Sequence, residues 1–153
     1  MKSDVKIDGN RLTISRVFRA PRAQVFDAWK QVETLQHWWG CAEATKVESQ
    51  IDFRVGGSFA HTMQIQGCGE YVYRGTYNDI VEPERIAYSA QSRAGTERVL
   101  VEFIDQSEET LVIVTHDLPD RTACEMVSQG FSASFDKLDT LLAKTDTTPG
   151  DSP

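Results

Sequence analysis

Histidine, tyrosine and tryptophan are the residues on which chemistry would rest in this chain. His61, in "SFAHTMQI", shares a strand phase with Phe59, Met63 and Ile65, so its imidazole belongs to an apolar face. If that face is inward, a near-neutral imidazole could serve acid–base work, although a hydrogen-bonded spectator is the commoner role for such a histidine. His116 precedes the "DLPD" turn and is expected to be exposed. Tyr71, Tyr73, Tyr77 and Tyr88 are strand aromatics able to present hydroxyls to a ligand. Ser58, Ser89 and Ser134 have no recognisable base partner, so no nucleophile motif is present. "RVGGS" lacks the Gly-Lys-Ser/Thr ending of a phosphate loop and enters a strand, which makes it a bulge or tight turn. His37 and Cys41 stand at i,i+4, but two ligands without two more are not a metal site. Cys41, Cys68 and Cys124 are odd in number and far apart, which fits buried or idle thiols in a reducing compartment.

The stretch "LQHWWG" puts Trp38 and Trp39 side by side. Adjacent helical residues point about 100° apart, so one indole is expected to close the core while the other reaches a cavity mouth or the surface.

The elements that must position these groups follow from periodicity. "RLTISRVF" alternates as a strand, with Arg16 on the same phase as Leu12, Ile14 and Phe18. Asp8-Gly9 can fold Val5–Ile7 back on it as a short hairpin. Pro21 suits the first position of a helix carrying Val25, Ala28, Trp29 and Val32. A second short helix carries Leu35, Trp38 and Trp39 and ends at Gly40. From about 44 to 118 the period is two, giving six short strands joined by tight turns, which is an antiparallel meander. Gly75 inside one strand signals close backbone approach or a kink. The last element is a long helix with Val127, Phe131, Phe135, Leu138 and Leu142 in one stripe. It begins at the capping box "TACE" or at Asp120. Gly130 in mid-helix costs about 1 kcal/mol relative to alanine and relieves crowding or widens a cavity.

Bulk properties set the limits. A chain of 153 residues with 40% hydrophobic and 25% charged content is one ordinary globular domain, expected over 1–144 with a frayed tail at 145–153. A net charge of −7 argues against nucleic acid and anionic membrane surfaces. No apolar run approaches the ~20 residues of a membrane span, and "MKSDVKIDGN" has no apolar signal segment, so a cytoplasmic location is expected.

Five motifs occur in a telling order: "RVFRAPRAQVFDAW" (16–29), "HWWG" (37–40), "DFRVGGSF" (52–59), "YRGTYNDIVEPERIAY" (73–88) and "GFSASFDKLDTLLA" (130–143). Together they resemble the activator of heat-shock protein 90 ATPase (Aha-type) homologues, within the START-like (SRPBCC) helix-grip superfamily. Cys41 stands where that family commonly has proline, and Phe131 where it has tryptophan. The resemblance implies an α+β helix-grip fold: an antiparallel sheet of about six to seven strands wrapped around a long C-terminal helix, with two short helices after the first strand. It also implies a tapered space between sheet and helix.

The expected function is binding of a small apolar molecule in that space, without cofactor or metal. The expected lining residues are Trp38, Trp39, Phe53, His61, Met63, Tyr73, Tyr88, Val101, Phe103, Val127 and Phe131. One alternative is a chaperone-linked protein-binding module, which requires an exposed apolar patch near the short helices. Relatives that stimulate the chaperone carry an additional N-terminal domain, which is not expected in 153 residues already taken up by this one. Another alternative is a cyclase, dehydratase or hydrolase, which requires His61 or another ionisable group in the cavity beside a second polar group. An N-terminal edge strand could pair two subunits as a homodimer.

Overall fold

A computed structural model describes residues 3–40, 44–67, 69–92 and 95–146. The alternation of "RLTISRVF" makes β2 (Arg11–Phe18), with Leu12, Ile14, Arg16 and Phe18 all buried. The Asp8-Gly9 turn does close a hairpin, so β1 (Asp4–Asp8) precedes it. Six further strands are β3 (Ala44–Ile51), β4 (Ser58–Ile65), β5 (Gly69–Val81), β6 (Arg85–Ser92), β7 (Gly95–Gln106) and β8 (Glu109–Asp117). The sheet therefore has eight strands, not six to seven, because the N-terminal hairpin contributes one of its own. Their order is β1-β2-β8-β7-β6-β5-β4-β3, antiparallel throughout, so the meander closes back on the N-terminal strand.

Three helices cover one face. Helix α1 (Arg22–Lys30) starts one residue later than expected, with Pro21 as its extended N-cap. Gln31 is extended at φ −89°, ψ 116°, and breaks the chain before Val32, which opens α2 (Val32–Trp38) instead of ending α1. Helix α3 (Thr122–Asp146) is preceded by Asp120, whose Oδ1 accepts the Ala123 N–H at 3.1 Å. The Thr122 side chain lies outside the described residues, as do Cys41, Cys68 and residues 147–153 of the tail expected over 145–153. Cys124 is a buried free thiol.

The closed core lies where α1, α2 and the C-terminal half of α3 meet the sheet. Trp29 packs on Trp38 at 4.6 Å and on Phe103 at 5.0 Å, and Phe18 meets Phe135 edge-on at 5.3 Å. Rings of this size each remove roughly 150–250 Å² from water, which makes them the main hold on the helical layer. Arg16, on an apolar phase, is explained by α3: its guanidinium reaches Asp136 at 2.8 Å and Asp139 at 2.7 Å and also bonds Ser3 Oγ. A buried cation is tolerable only when paired and hydrogen-bonded, and this one ties the first long strand to the last helix. Gly75 sits where a side chain would fall on the Ser89 carbonyl oxygen and 2.7 Å from Phe59 Cζ, so β5 and β6 approach closely there.

Candidate functional site

Helix α2 stops between the two tryptophans, and that decides what each does. Trp38 ends the helix and turns into the core, 1% exposed, its Nε1–H donating to the Ala28 carbonyl at 3.0 Å. Trp39 is the extended C-cap, at φ −69° and ψ 141°, so its indole leaves in another direction. It lies over His61 at 4.5 Å and Tyr73 at 5.7 Å. Gly40 follows at φ +115°, a conformation that L side chains rarely adopt. Its N–H donates to Ser134 Oγ at 3.1 Å and its carbonyl accepts from the same hydroxyl at 2.7 Å. The turn after α2 is thereby fastened to α3.

Beside that fastening a cavity of about 630 Å³ opens between the sheet and the N-terminal half of α3. The sheet wall carries Met63 and Ile65 from β4, Tyr71 and Tyr73 from β5, and Tyr88 from β6. Trp38, Trp39 and Gly40 close one side, and Val127, Gly130, Phe131, Ala133 and Ser134 form the helix wall. Aromatic and aliphatic groups dominate the lining, as in small-molecule sites generally.

The polar part of this wall was not anticipated. Glu97 on β7 and His116 on β8 are 7% and 3% exposed, and His116 Nε2 lies 2.8 Å from Glu97 Oε1. The Tyr73 hydroxyl donates to the same oxygen at 3.3 Å, and Tyr88 hydrogen-bonds to Tyr73. Burial, then the neighbouring charges, raises the Tyr73 phenol well above its ordinary pKa, and burial raises that of Tyr88. Both phenols therefore stay protonated donors near neutrality. His116 is buried, contrary to the expectation of exposure. Its strand continues to Asp117 and keeps it on the inward phase of Val112 and Val114. Glu97 likewise shares phase with Val99, Val101 and Phe103. Because Val99 pairs with His116, Glu97 is its diagonal neighbour across the ladder. The alternation of both segments was the signal that would have found the pair.

Of the expected lining residues, Trp38, Trp39, Met63, Tyr73, Tyr88, Val127 and Phe131 stand on the cavity wall. Phe53, Val101 and Phe103 stand away from it. Phe53 packs on Phe26 and Tyr77, and Phe103 on Phe26 and Trp29, because α1 covers that end of the sheet. Val101, 0% exposed, belongs to the same core. His61 sits behind Trp39 and is stacked near Phe59, with Nδ1 2.8 Å from Ser49 Oγ. Burial lowers its pKa to about 4, so at neutral pH it is an uncharged packing group.

A curled antiparallel sheet gripping one long helix, with a short-helix plug and a cavity between the layers, defines the START-like (SRPBCC) helix-grip class. The chain belongs to the family described as Activator of Hsp90 ATPase homolog 1-like protein, whose profile matches residues 19–143. Among solved structures it is similar to protein Ms6760 from Mycobacterium smegmatis, at 19% identity and TM-score 0.79, covering 95% of this chain and 99% of that one. Protein NE0264 from Nitrosomonas europaea gives 17% identity and TM-score 0.81, with 93% and 100% covered. CalU16 from Micromonospora echinospora gives 18% and 0.73, with 92% and 85% covered. At these identities the likeness establishes the fold alone. No curated protein matches the chain significantly. Domains of this fold commonly bind hydrophobic ligands or serve as chaperone-linked modules. Among the described residues, no helix is long and apolar enough to cross a membrane.

Proposed function

We propose that this domain binds one small, largely apolar molecule in the cavity between the sheet and α3. The observation that carries the reading is the cavity itself: about 630 Å³, walled by Trp39, Tyr71, Tyr73, Tyr88 and Phe131. That volume falls within the roughly 300–1,000 Å³ typical of small-molecule sites. Ligand surface placed against such walls leaves water at about 25 cal/mol per Å², which drives binding without any charged contact. The chaperone-linked alternative calls for an exposed apolar patch near α1 and α2. The large apolar side chains exposed among the described residues are Val5, Val55 and Ile104, none of them on those helices. That distribution favours the cavity reading.

Native mass spectrometry of gently purified protein, followed by solvent extraction, tests the proposal. A stoichiometric apolar adduct is the expected result. A bare protein whose melting temperature is unmoved by a panel of naphthalene- to steroid-sized apolar compounds would overturn it, since a ligand at 100 times its Kd stabilises the folded state by about 2.7 kcal/mol.

A further inference from the structure

Resting on the cavity reading, we infer that the His116–Glu97 pair is a recognition group that selects ligands bearing a hydroxyl able to donate a hydrogen bond, such as a phenol, enol or alcohol on an apolar skeleton. Glu97 Oε1 already accepts the Tyr73 hydroxyl proton, so across the 2.8 Å contact Nε2 of His116 is the donor. The tautomer with the proton on Nε2 leaves a bare lone pair at Nδ1. Among the described residues, Nδ1 of His116 is the single buried side-chain nitrogen or oxygen with no hydrogen-bond partner. An unpaired buried acceptor carries its full desolvation penalty, which a ligand donor removes on arrival. The contrast with His61 is direct, because there the Ser49 hydroxyl already occupies Nδ1.

The surroundings fix what kind of donor fits. His116 and Glu97 both lie on the cavity wall, among mostly aromatic and aliphatic side chains with the hydroxyls of Tyr71, Tyr73, Tyr88 and Ser134 and the Gln129 amide as the other polar groups. Phe131, from the helix wall, stands edge-on to the imidazole at 5.8 Å and 84°. Glu97 orients the imidazole and fixes its tautomer, and so acts as a positioning residue. A site built to pair a hydroxyl discriminates against an analogue lacking it more sharply than an apolar pocket discriminates by size.

The test uses three probes on the whole chain: 2-naphthol, 2-methoxynaphthalene and naphthalene, titrated by calorimetry or competition. The inference predicts that 2-naphthol binds about tenfold more tightly than 2-methoxynaphthalene, in line with one satisfied buried acceptor. In His116→Phe, 2-naphthol and 2-methoxynaphthalene should bind alike. A second readout needs no variant: the ring-nitrogen NMR signal of His116 should move with 2-naphthol and stay put with 2-methoxynaphthalene. Equal binding of all three probes, with a stationary nitrogen signal, overturns hydroxyl recognition and leaves the cavity reading intact. Failure of all three to bind overturns the cavity reading and this inference with it.

Discussion

The two halves of α3 face the same sheet and do opposite things. Toward the C-terminus, Phe135, Leu138 and Leu142 are sealed in the core that holds Phe18, Trp29 and Trp38, at 0%, 0% and 6% exposure. Toward the N-terminus, Val127, Gly130, Phe131 and Ala133 border open space, and the sheet opposite them carries hydroxyls, a carboxylate and an imidazole. The difference lies in what fills the gap. At one end α1 and α2 drive Phe26, Trp29 and Trp38 between helix and sheet. At the other, Gly130, Ala133 and Ser134 are small and leave the gap unfilled. A helix-grip domain of this kind is a closed core and an open one on a single helix.

If that division is right, truncations on the closed side must cost far more than truncations on the open side. Trp38→Ala should lower unfolding free energy by about 3–5 kcal/mol, the range for emptying a large buried aromatic site. Trp39→Ala, one residue away but only half-buried, should cost less than half of that. Urea unfolding of the two variants at pH 7 decides it. Equal losses would mean that the cavity side is as much a core as the plug.

His61 lies at the boundary between the two regions, and its effect is read through pH. Its folded pKa of about 4 lies below the ordinary 6.5, so between those values the unfolded chain binds the extra proton. Stability from this group is full above pH 6.5 and is lost as pH falls toward 4. The loss amounts to roughly 3 kcal/mol by linkage. Unfolding curves at pH 7.0, 5.5 and 4.5 should show the decline, and His61→Gln should flatten it. An unchanged pH slope in that variant would assign the acid sensitivity to other groups.

Much of this architecture is legible in the chain because alternation and helical spacing are local signals. The meander, the short helices and the long helix all follow from them. The eighth strand required trusting a five-residue hairpin, and the break between α1 and α2 depends on one extended residue, Gln31, that no periodicity marks. The cavity was harder. Phase says that Phe103 and Tyr88 face inward, but which inward residues meet a helix and which meet space depends on where α1 ends over the sheet. For His116 the reason is simpler: its place next to a turn suggests exposure, but the inward phase it shares with Val112 and Val114 decides its burial. Glu97 is illegible in the sequence alone because a carboxylate on an inward phase has meaning only beside its partner, and that partner is on the neighbouring strand.

The fastening between the turn after α2 and α3 offers a smaller effect. Ser134→Ala would leave the buried N–H and carbonyl of Gly40 without their side-chain partner, at a cost of about 2 kcal/mol. Because this bond holds the rim of the cavity, thermal unfolding and probe affinity should fall together in Ser134→Ala. Ser134→Thr, which keeps the hydroxyl, should restore part of both.

Gly130 gives the smallest change and the most telling one, because its two consequences should have opposite signs. A glycine in mid-helix is worth about 1 kcal/mol less than alanine. Crowding does not require it, since a Cβ built at Gly130 would meet nothing within 4 Å. Gly130→Ala should therefore raise the melting temperature by about 2–4 °C, the shift expected per kcal/mol for a chain of this length. The same methyl group would project into the cavity, so affinity for a bulky apolar probe should drop, and Gly130→Leu should reduce it further. Higher stability with weaker binding would identify the glycine as stability forgone to keep the space open. Higher stability with unchanged binding would mean that a ligand sits nearer the strands, against Tyr88 and His116, and that the open half of α3 is a roof over the site instead of a contact.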